Sequence, residues 1–297
     1  MNVNLRLSKF ANSKRALYIL CLPVLFLLGS FIFYPFVRGL LISFTNWDGL
    51  SQTYKIVGGD QYVRMFTDRN IKHVVINTFV YAFGSTIFQN LFGLCFALLL
   101  DRKIRGKNVA RAVIYLPILV SGLIMGYIWY FLFKLGGSVN EVIVLLGKAP
   151  INFLSLGDPT VYLITAVNVF QYAGLCMIIY LAGLQTITRD YYEAASIDGA
   201  GGFAMLRKIT LPLLMPSITI NVVLNLIGGM KLFDVIIAMT NGGPGYTTQS
   251  LSTMMYQLYF ASYDAGYAAA LGNFMFVLIT IIGITTLIML RKREVEY

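Results

Sequence analysis

Six apolar runs, at 16–44, 74–100, 112–133, 161–184, 210–239 and 267–290, occupy most of this 297-residue sequence. A helix needs about 20 such residues to cross roughly 30 Å of hydrocarbon. No water reaches the bilayer interior to satisfy backbone N–H and C=O groups, so a spanning chain must be helical or a closed barrel. The short alternating segments of a barrel are absent. An all-α membrane protein follows, with one six-span domain over 16–290 between a leader at 1–15 and a tail at 291–297. With 58% hydrophobic and 12% charged residues the chain lies outside the soluble range.

The leader carries Arg6, Lys9, Lys14 and Arg15 ahead of the first run, which is the pattern of a secretory signal. A signal core extends over about 7 to 15 residues before a small-residue cleavage site, and this run is far longer without one, so it remains as the first span. Orientation follows the distribution of Lys and Arg in short loops. If both termini are cytoplasmic, fifteen of the 23 basic residues fall in inner segments and six in outer ones, with Arg38 and Lys231 inside spans. Arg38, near the outer end of its span, reads as a snorkelling side chain. Topology and attraction to anionic inner-leaflet lipid thus account for the net charge of +10, and no nucleic-acid partner is needed.

Chemistry is sparse. Cys21, Cys95 and Cys176 all lie within spans without metal-ligand spacing and read as small buried residues. His73 is the only histidine and has no second member for a catalytic or metal cluster. No catalytic or metal-ligating residue is assigned. No GxxxxGK[ST] is present: Lys148 is followed by Ala149, and Gly106-Lys107 fails likewise. Uphill transport by this chain therefore needs energy from another polypeptide or an ion gradient.

The most polar interruption is YYEAASIDGAGGFAMLRKITLPLLMP, beginning at Tyr191. Its acid and alanines suit a short helix, with Asp190 complementing the dipole at its start. Asp198, Gly199, Ala200, Gly201 and Gly202 break that helix, and a second short helix begins at Phe203 before Pro212 and Pro216 redirect the chain. The expected product is a compact knob. Ala194 and Ala195 leave one surface low, and Glu193 offers a carboxylate to a basic partner. By itself this is also what an interfacial connector looks like.

The same stretch carries Glu193-Ala194-Ala195, then three residues to Gly199, then nine to Ile209-Thr210-Leu211-Pro212, which matches the pattern E-A-A-x3-G-x9-I-x-L-P throughout. The chain thereby resembles a permease subunit of a binding-protein-dependent ABC importer. YPFVRGLLISFTNWDG from Tyr34, INFL from Ile151 and LFDVIIAMTNGGPGYTTQS from Leu232 resemble the carbohydrate-uptake, maltose-type branch. The resemblance implies a six-span permease bundle in which the loop at 185–212 docks on a cytoplasmic ATPase. Glu193, Ala194, Ala195, Asp198, Gly199, Ala200, Ile209, Leu211 and Pro212 are then the coupling residues. It further implies a second permease, commonly in a heterodimer, two ATP-binding subunits that carry ATP and Mg, and an external solute-binding protein. The setting is a bacterial or archaeal plasma membrane, and this chain holds no cofactor of its own.

A solute path is sought among polar residues inside spans, since polarity in hydrocarbon is costly and turns toward protein or water. Asn168, Gln171 and Tyr172 fall at i, i+3 and i+4 on one helical face. On the fifth run Asn221, Asn225 and Gly228 share a face, and Lys231 and Asp234 are spaced to pair with each other. Amides in bundles also join helices, at about 0.6 to 2 kcal/mol per contact, so either role fits. Gly122 and Gly126 have the spacing of a packing face. At the outer surface Asn241-Gly242-Gly243-Pro244-Gly245 must turn irregularly, a short helix is expected at 139–146, and the resemblance implies that the former faces the binding protein or the mouth of the path. The expected function is carbohydrate import by alternating access. The alternatives are another small solute, such as a phosphorylated polyol or amino acid, and an ion-driven secondary transporter, for which no inverted pair of interrupted spans is found.

Overall fold

A computed structural model describes residues 14–102 and 105–294, with side chains from residue 21 onward. Residues 1–13 of the leader, with Arg6 and Lys9, and 295–297 of the tail lie outside the described residues. Helices α1 (Lys14–Leu28) and α2 (Tyr34–Ile42) are joined through a wide turn at Gly29–Phe33, followed by α3 (Asp60–Thr67). Next come α4 (Arg69–Phe79) and α5 (Ser85–Asp101), joined through a second wide turn at Val80–Gly84, then α6 (Lys107–Tyr115), α7 (Gly122–Phe133) and α8 (Ser138–Leu145). The long α9 (Asp158–Thr186) leads to α10 (Arg189–Ile197), α11 (Gly202–Met205), α12 (Leu211–Leu213), α13 (Met215–Met230) and α14 (Asp234–Thr240). The last helices are α15 (Leu251–Phe260) and α16 (Ala265–Arg291). Among the described residues the only β pairing is an isolated antiparallel bridge between Thr45 and Ile56.

Among the described residues five segments are long and apolar enough to span: Cys21–Ile42, Arg69–Asp101, Gly122–Leu145, Asp158–Thr186 and Ala265–Arg291; the pair Gly202–Leu213 and Met215–Met230, bent by 68°, makes a sixth if its halves count as one broken span. The all-helical reading holds, but two runs are broken. The run at 112–133 is interrupted at Leu116–Leu119, where Pro117 forces a tighter turn and Val120 becomes extended. Ser121 then restarts the chain as α7, its hydroxyl accepting from the Ile124 amide at 3.4 Å. The run at 210–239 is not one span either. Helix α13 stops at Met230, beyond Gly228 and Gly229, and α14 is a separate helix. The expected short helix at 139–146 is α8.

The chain divides into two compact units. One comprises the described residues to Met65 together with Leu258–Asn273. Within it Arg64 pairs with Asp264 at 2.6 Å and stacks over the Tyr267 ring, while the Gln61 amide donates to the Thr45 carbonyl at 2.9 Å. Gly266 fits because it lacks a side chain: a Cβ there would lie 2.1 Å from the Thr45 carbonyl oxygen. In the loop between α2 and α3 the Ser51 hydroxyl, with the Ser51 and Leu50 amides, holds the Asp48 carboxyl down at about 2.

The second unit, Phe66–Gln257 with the remainder of α16, holds the polar residues of interest. Its axis is α9, against which α5 packs so closely that a Cβ on Gly93 would sit 2.4 Å from Cys176 Cβ. Ala97, Met177, Tyr180, Leu181 and Leu214 are buried around that crossing, and Tyr81, Met125, Ile164, Ile236 and Met239 form another cluster along the same helix. Of the cysteines only Cys176 is buried; Cys21 and Cys95 are exposed on apolar helix faces, contrary to the expectation for all three. In a bilayer outward positions are as apolar as the core, so composition does not separate lipid-facing from buried sites.

Candidate functional site: a polar cavity and a helical knob

The knob forms as two short arms at a glycine corner. Helix α10 closes with the Ala200 amide donating to the Ala195 carbonyl at 2.9 Å and the Gly199 amide to the Ser196 carbonyl at 3.1 Å. Gly199 stands at φ +74°, where a side chain is strained even though no atom lies within 4 Å of where its Cβ would stand. The arms are stapled by the Tyr192 and Thr210 hydroxyls, 3.1 Å apart, and Tyr192 packs on the cluster at Tyr180 and Leu214. Glu193, Ala194, Asp198 and Gly199 are exposed, Ala195, Ala200, Ile209, Leu211 and Pro212 half-buried.

Two residues stand out that the motif does not contain. Ile197 is 87% exposed and Phe203 77% exposed, one on each side of the corner. Burying a large apolar side chain is worth about 1.5 to 3 kcal/mol, so these two are poised to dominate any docking of the knob. Their sequence signal is a pair of large apolar residues flanking the most polar segment of the chain.

The second feature is a cavity of about 320 Å³ in the same unit. Helix α9 supplies Asn168, Gln171 and Tyr172, while the far end of α13 supplies Asn225 and Lys231, and α14 begins there with Asp234. Six of the seven path residues expected from the sequence therefore meet at one place. Asn221 does not: it is buried, and its amide donates to the Cys176 carbonyl at 3.3 Å, which makes it a packing residue. Gln89 on α5, which the sequence reading does not single out, also lines the cavity. It is an amide inside an apolar run, the same signal that marks the others.

Most of these amides are positioned by helix contacts. Asn168 donates to the Ser85 hydroxyl at 2.9 Å, and its carbonyl accepts from Gln89 at 3.1 Å. Asn225 donates to Cys176 Sγ at 2.9 Å, and Gln171 to the Val120 carbonyl at 2.9 Å. Val120 is free to accept because the chain is extended there, between Leu116–Leu119 and α7. The Gln171 Oε1 atom is buried without a partner. A buried acceptor left unsatisfied costs about 1 to 3 kcal/mol, which a water or a ligand hydroxyl in the cavity would remove.

Lys231 and Asp234 do not form the expected pair; among the described residues they make no ion pair. The reason is the break between them: Lys231 caps α13 and Asp234 opens α14, so the i, i+3 relation of one helix is lost. Asp234 lies instead beside Gly122, where a Cβ would be 3.1 Å from its Oδ2. Gly126, four residues on, faces Ala238 just as closely, so the two glycines are the packing face expected of them.

A larger groove of about 880 Å³ runs past Phe88, Phe92, Phe96, Tyr162 and Phe170. Its lining is almost wholly apolar, and the Thr165 hydroxyl in it already donates to the Val161 carbonyl at 2.8 Å. A hydroxylated solute would lose hydrogen bonds there, so the smaller polar cavity is the better candidate. His73 lies 3.2 Å from the Thr247 carbonyl and Asn77 donates to it at 2.9 Å. With the Tyr81 hydroxyl on the Thr248 carbonyl at 2.8 Å, these contacts pin the loop that follows α14 to α4 and the turn after it.

The family model for the binding-protein-dependent transport system inner membrane component matches residues 89–294. The sequence is 32% identical over 277 residues to the probable starch degradation products transport system permease protein AmyD of Thermoanaerobacterium thermosulfurigenes, covering 92% of this chain and 93% of that one. It is 32% identical over 263 residues to the trehalose/maltose transport system permease protein MalF of Thermococcus litoralis, covering 88% and 89%. Among solved structures it is similar to a chain of a bacterial ABC transporter involved in the import of the acidic polysaccharide alginate, at TM-score 0.83 and 25% identity over 97% of this chain and 99% of that one.

Proposed function

This chain belongs to the family of binding-protein-dependent transport system inner membrane components, the permeases of ABC importers, and on that premise we propose that it conducts a carbohydrate through the cavity at Asn168, Gln171 and Tyr172. It is a transport subunit and not itself an enzyme. The observation that carries the substrate class is the cavity lining. Amides and a phenol supply uncharged donors and acceptors, one of them the unsatisfied Gln171 oxygen, which suit sugar hydroxyls. The names of the relatives, concerned with starch degradation products, trehalose and maltose, support the same class.

The working assembly in this reading contains a second permease, two ATP-binding subunits holding ATP and Mg, and an external solute-binding protein. The chain lies in a bacterial or archaeal plasma membrane with both ends and the knob on the cytoplasmic side, as the basic residues favour. Ile197, Phe203 and the Glu193 carboxylate then dock on the ATPase, and closure of that partner is transmitted through the Tyr192 and Thr210 staple to α13.

A second reading rests on Lys231, which lines the cavity together with Asp234, makes no ion pair among the described residues, and suits a solute bearing a carboxylate or phosphate. Tyr172→Phe and Lys231→Gln separate the two. The Tyr172 hydroxyl makes no hydrogen bond to another described residue, so its removal is expected to leave packing intact. For a neutral sugar, Tyr172→Phe is expected to raise the half-saturating concentration for import about threefold to tenfold, the scale of one lost hydrogen bond, with assembly unchanged. Wild-type kinetics in Tyr172→Phe and Gln171→Ala, with a large loss in Lys231→Gln, would favour the anionic solute.

A further inference from the structure

Helices α7 and α14 run side by side in the same direction, since Gly122 meets Asp234 and Gly126 meets Ala238. The polar cavity lies at the Gly122 and Asp234 end of this wall. At the other end, eight residues or about 12 Å along α7, is a second cavity of about 490 Å³. Tyr130 lines it from α7, Lys134 from the extended residue just past that helix, Asn152 and Ser155 from the segment before α9, and Thr240 from the end of α14. Its volume falls in the range of roughly 300 to 1,000 Å³ typical of small-ligand sites.

The rim of this cavity is built rather than loose. Asn140 is buried, and its amide nitrogen donates to the Lys134 and Ile151 carbonyls, both at 3.0 Å, while its oxygen accepts from the Ile151 amide at 2.7 Å. The Phe153 ring meets Phe133 edge-on at 5.5 Å, and the Phe153 carbonyl accepts from Thr160 at 2.9 Å. The segment bearing Asn152 and Ser155 is thus tied to both α7 and α9. Against that fixed frame, the Tyr130 side chain is half-buried and Asn152 and Ser155 are exposed, and none of the three side chains hydrogen-bonds to another described residue. Lys134 stacks on Phe131, its Nζ 4.7 Å from the ring centroid, and no acid lines the cavity.

We propose that this cavity is a second sugar subsite, which holds one hydroxylated ring between the Tyr130 phenol, the Asn152 amide and the Ser155 hydroxyl before the ring reaches Gln171 and Tyr172. The chemistry is that of a pyranose: hydroxyls and an amide offer both donors and acceptors, and a tyrosine ring offers a flat apolar face to the sugar's C–H groups. Two subsites on one wall fit a solute that is passed along the wall rather than captured in one step. The inference rests on the reading of this chain as a sugar-conducting permease with α7 ending at the outer surface.

The test uses the full importer in proteoliposomes with the outer face exposed, and carries Ser155→Cys. A membrane-impermeant maleimide should label the introduced thiol, with the unsubstituted chain as the blank, since Cys176 is buried and Cys21 and Cys95 lie within apolar spans. Maltose and trehalose are the probes, and uptake of each is measured in parallel. An imported sugar is expected to slow labelling at least threefold, and to do so equally when Tyr172→Phe is added. Asn152→Ala should raise the half-saturating sugar concentration about threefold to tenfold without changing the maximal rate. Uptake of a sugar that leaves labelling unaltered would overturn the subsite while the import reading stood. Failure to import either sugar, with uptake of an anionic solute instead, would remove both.

Discussion

Phe203→Asp is expected to lower ATP-driven uptake by tenfold or more and to reduce copurification of the ATPase subunits, while the permease still inserts and assembles. Phe203 is 77% exposed on the second arm of the knob and belongs to none of the buried clusters, so its replacement is expected to leave the fold in place. Its proposed role is in a docking cleft, where a buried aromatic typically contributes about 2 kcal/mol or more and a carboxylate in its place adds a desolvation cost. Gly199→Val is the companion change. No atom lies near its Cβ position, so any defect must come from the backbone at φ +74°, which β-branched residues resist. Normal uptake with full ATPase recovery in Phe203→Asp would remove the knob from the coupling role.

Gly126→Val should produce the larger structural effect. A Cβ there would fall 2.5 Å from Ala238 Cβ and 3.2 Å from both the Val235 Cα and its carbonyl oxygen, so the neighbour that has to move is a helix backbone. Overpacking of this kind costs about 1 to 3 kcal/mol or more, and it would push α14 away from α7 at the seam between the two cavities. Loss of thermal stability by several degrees, together with loss of uptake, is the expected result in detergent-solubilised complex. Gly29→Ala on the first span is the control: nothing lies within 4 Å of its Cβ position, and stability should not change. Equal stability of the two variants would show that the seam is not close-packed in the working protein.

What is legible in the sequence follows from how local each signal is. The helical class is set by the length of the apolar runs, and the corner at Gly199 by glycine and helix-forming residues within a few positions of each other. The packing role of Gly122 and Gly126 can be read from spacing alone. By contrast, the break after Met230 is hidden, because Lys231-Leu232-Phe233 carries no proline and the apolar run continues through α14. That break undoes the expected pairing of Lys231 with Asp234 and places both on the cavity. Asn221 and Asn225 stand one helical turn apart on α13 and differ in role only through tertiary placement: Asn225 reaches the cavity, and Asn221 ends at the Cys176 carbonyl. Gln89 carries the same mark as the others, an amide inside an apolar run, and its place on the cavity follows from α5 crossing α9. Ile197 and Phe203 are marked only by their place on either side of the polar corner, since in an apolar chain exposure itself carries no compositional mark.

In the proposed function this chain forms a sugar path whose driving force arrives from a separate ATPase. The decisive measurement is sugar uptake into proteoliposomes holding the complete importer and its loaded binding protein, with ATP supplied on the knob side and ionophores present. Uptake is expected to require ATP and the ATP-binding subunits, and to continue after ion gradients are collapsed. Uptake by this chain without an ATP-binding subunit, or uptake abolished by the ionophores while ATP remains, would contradict it.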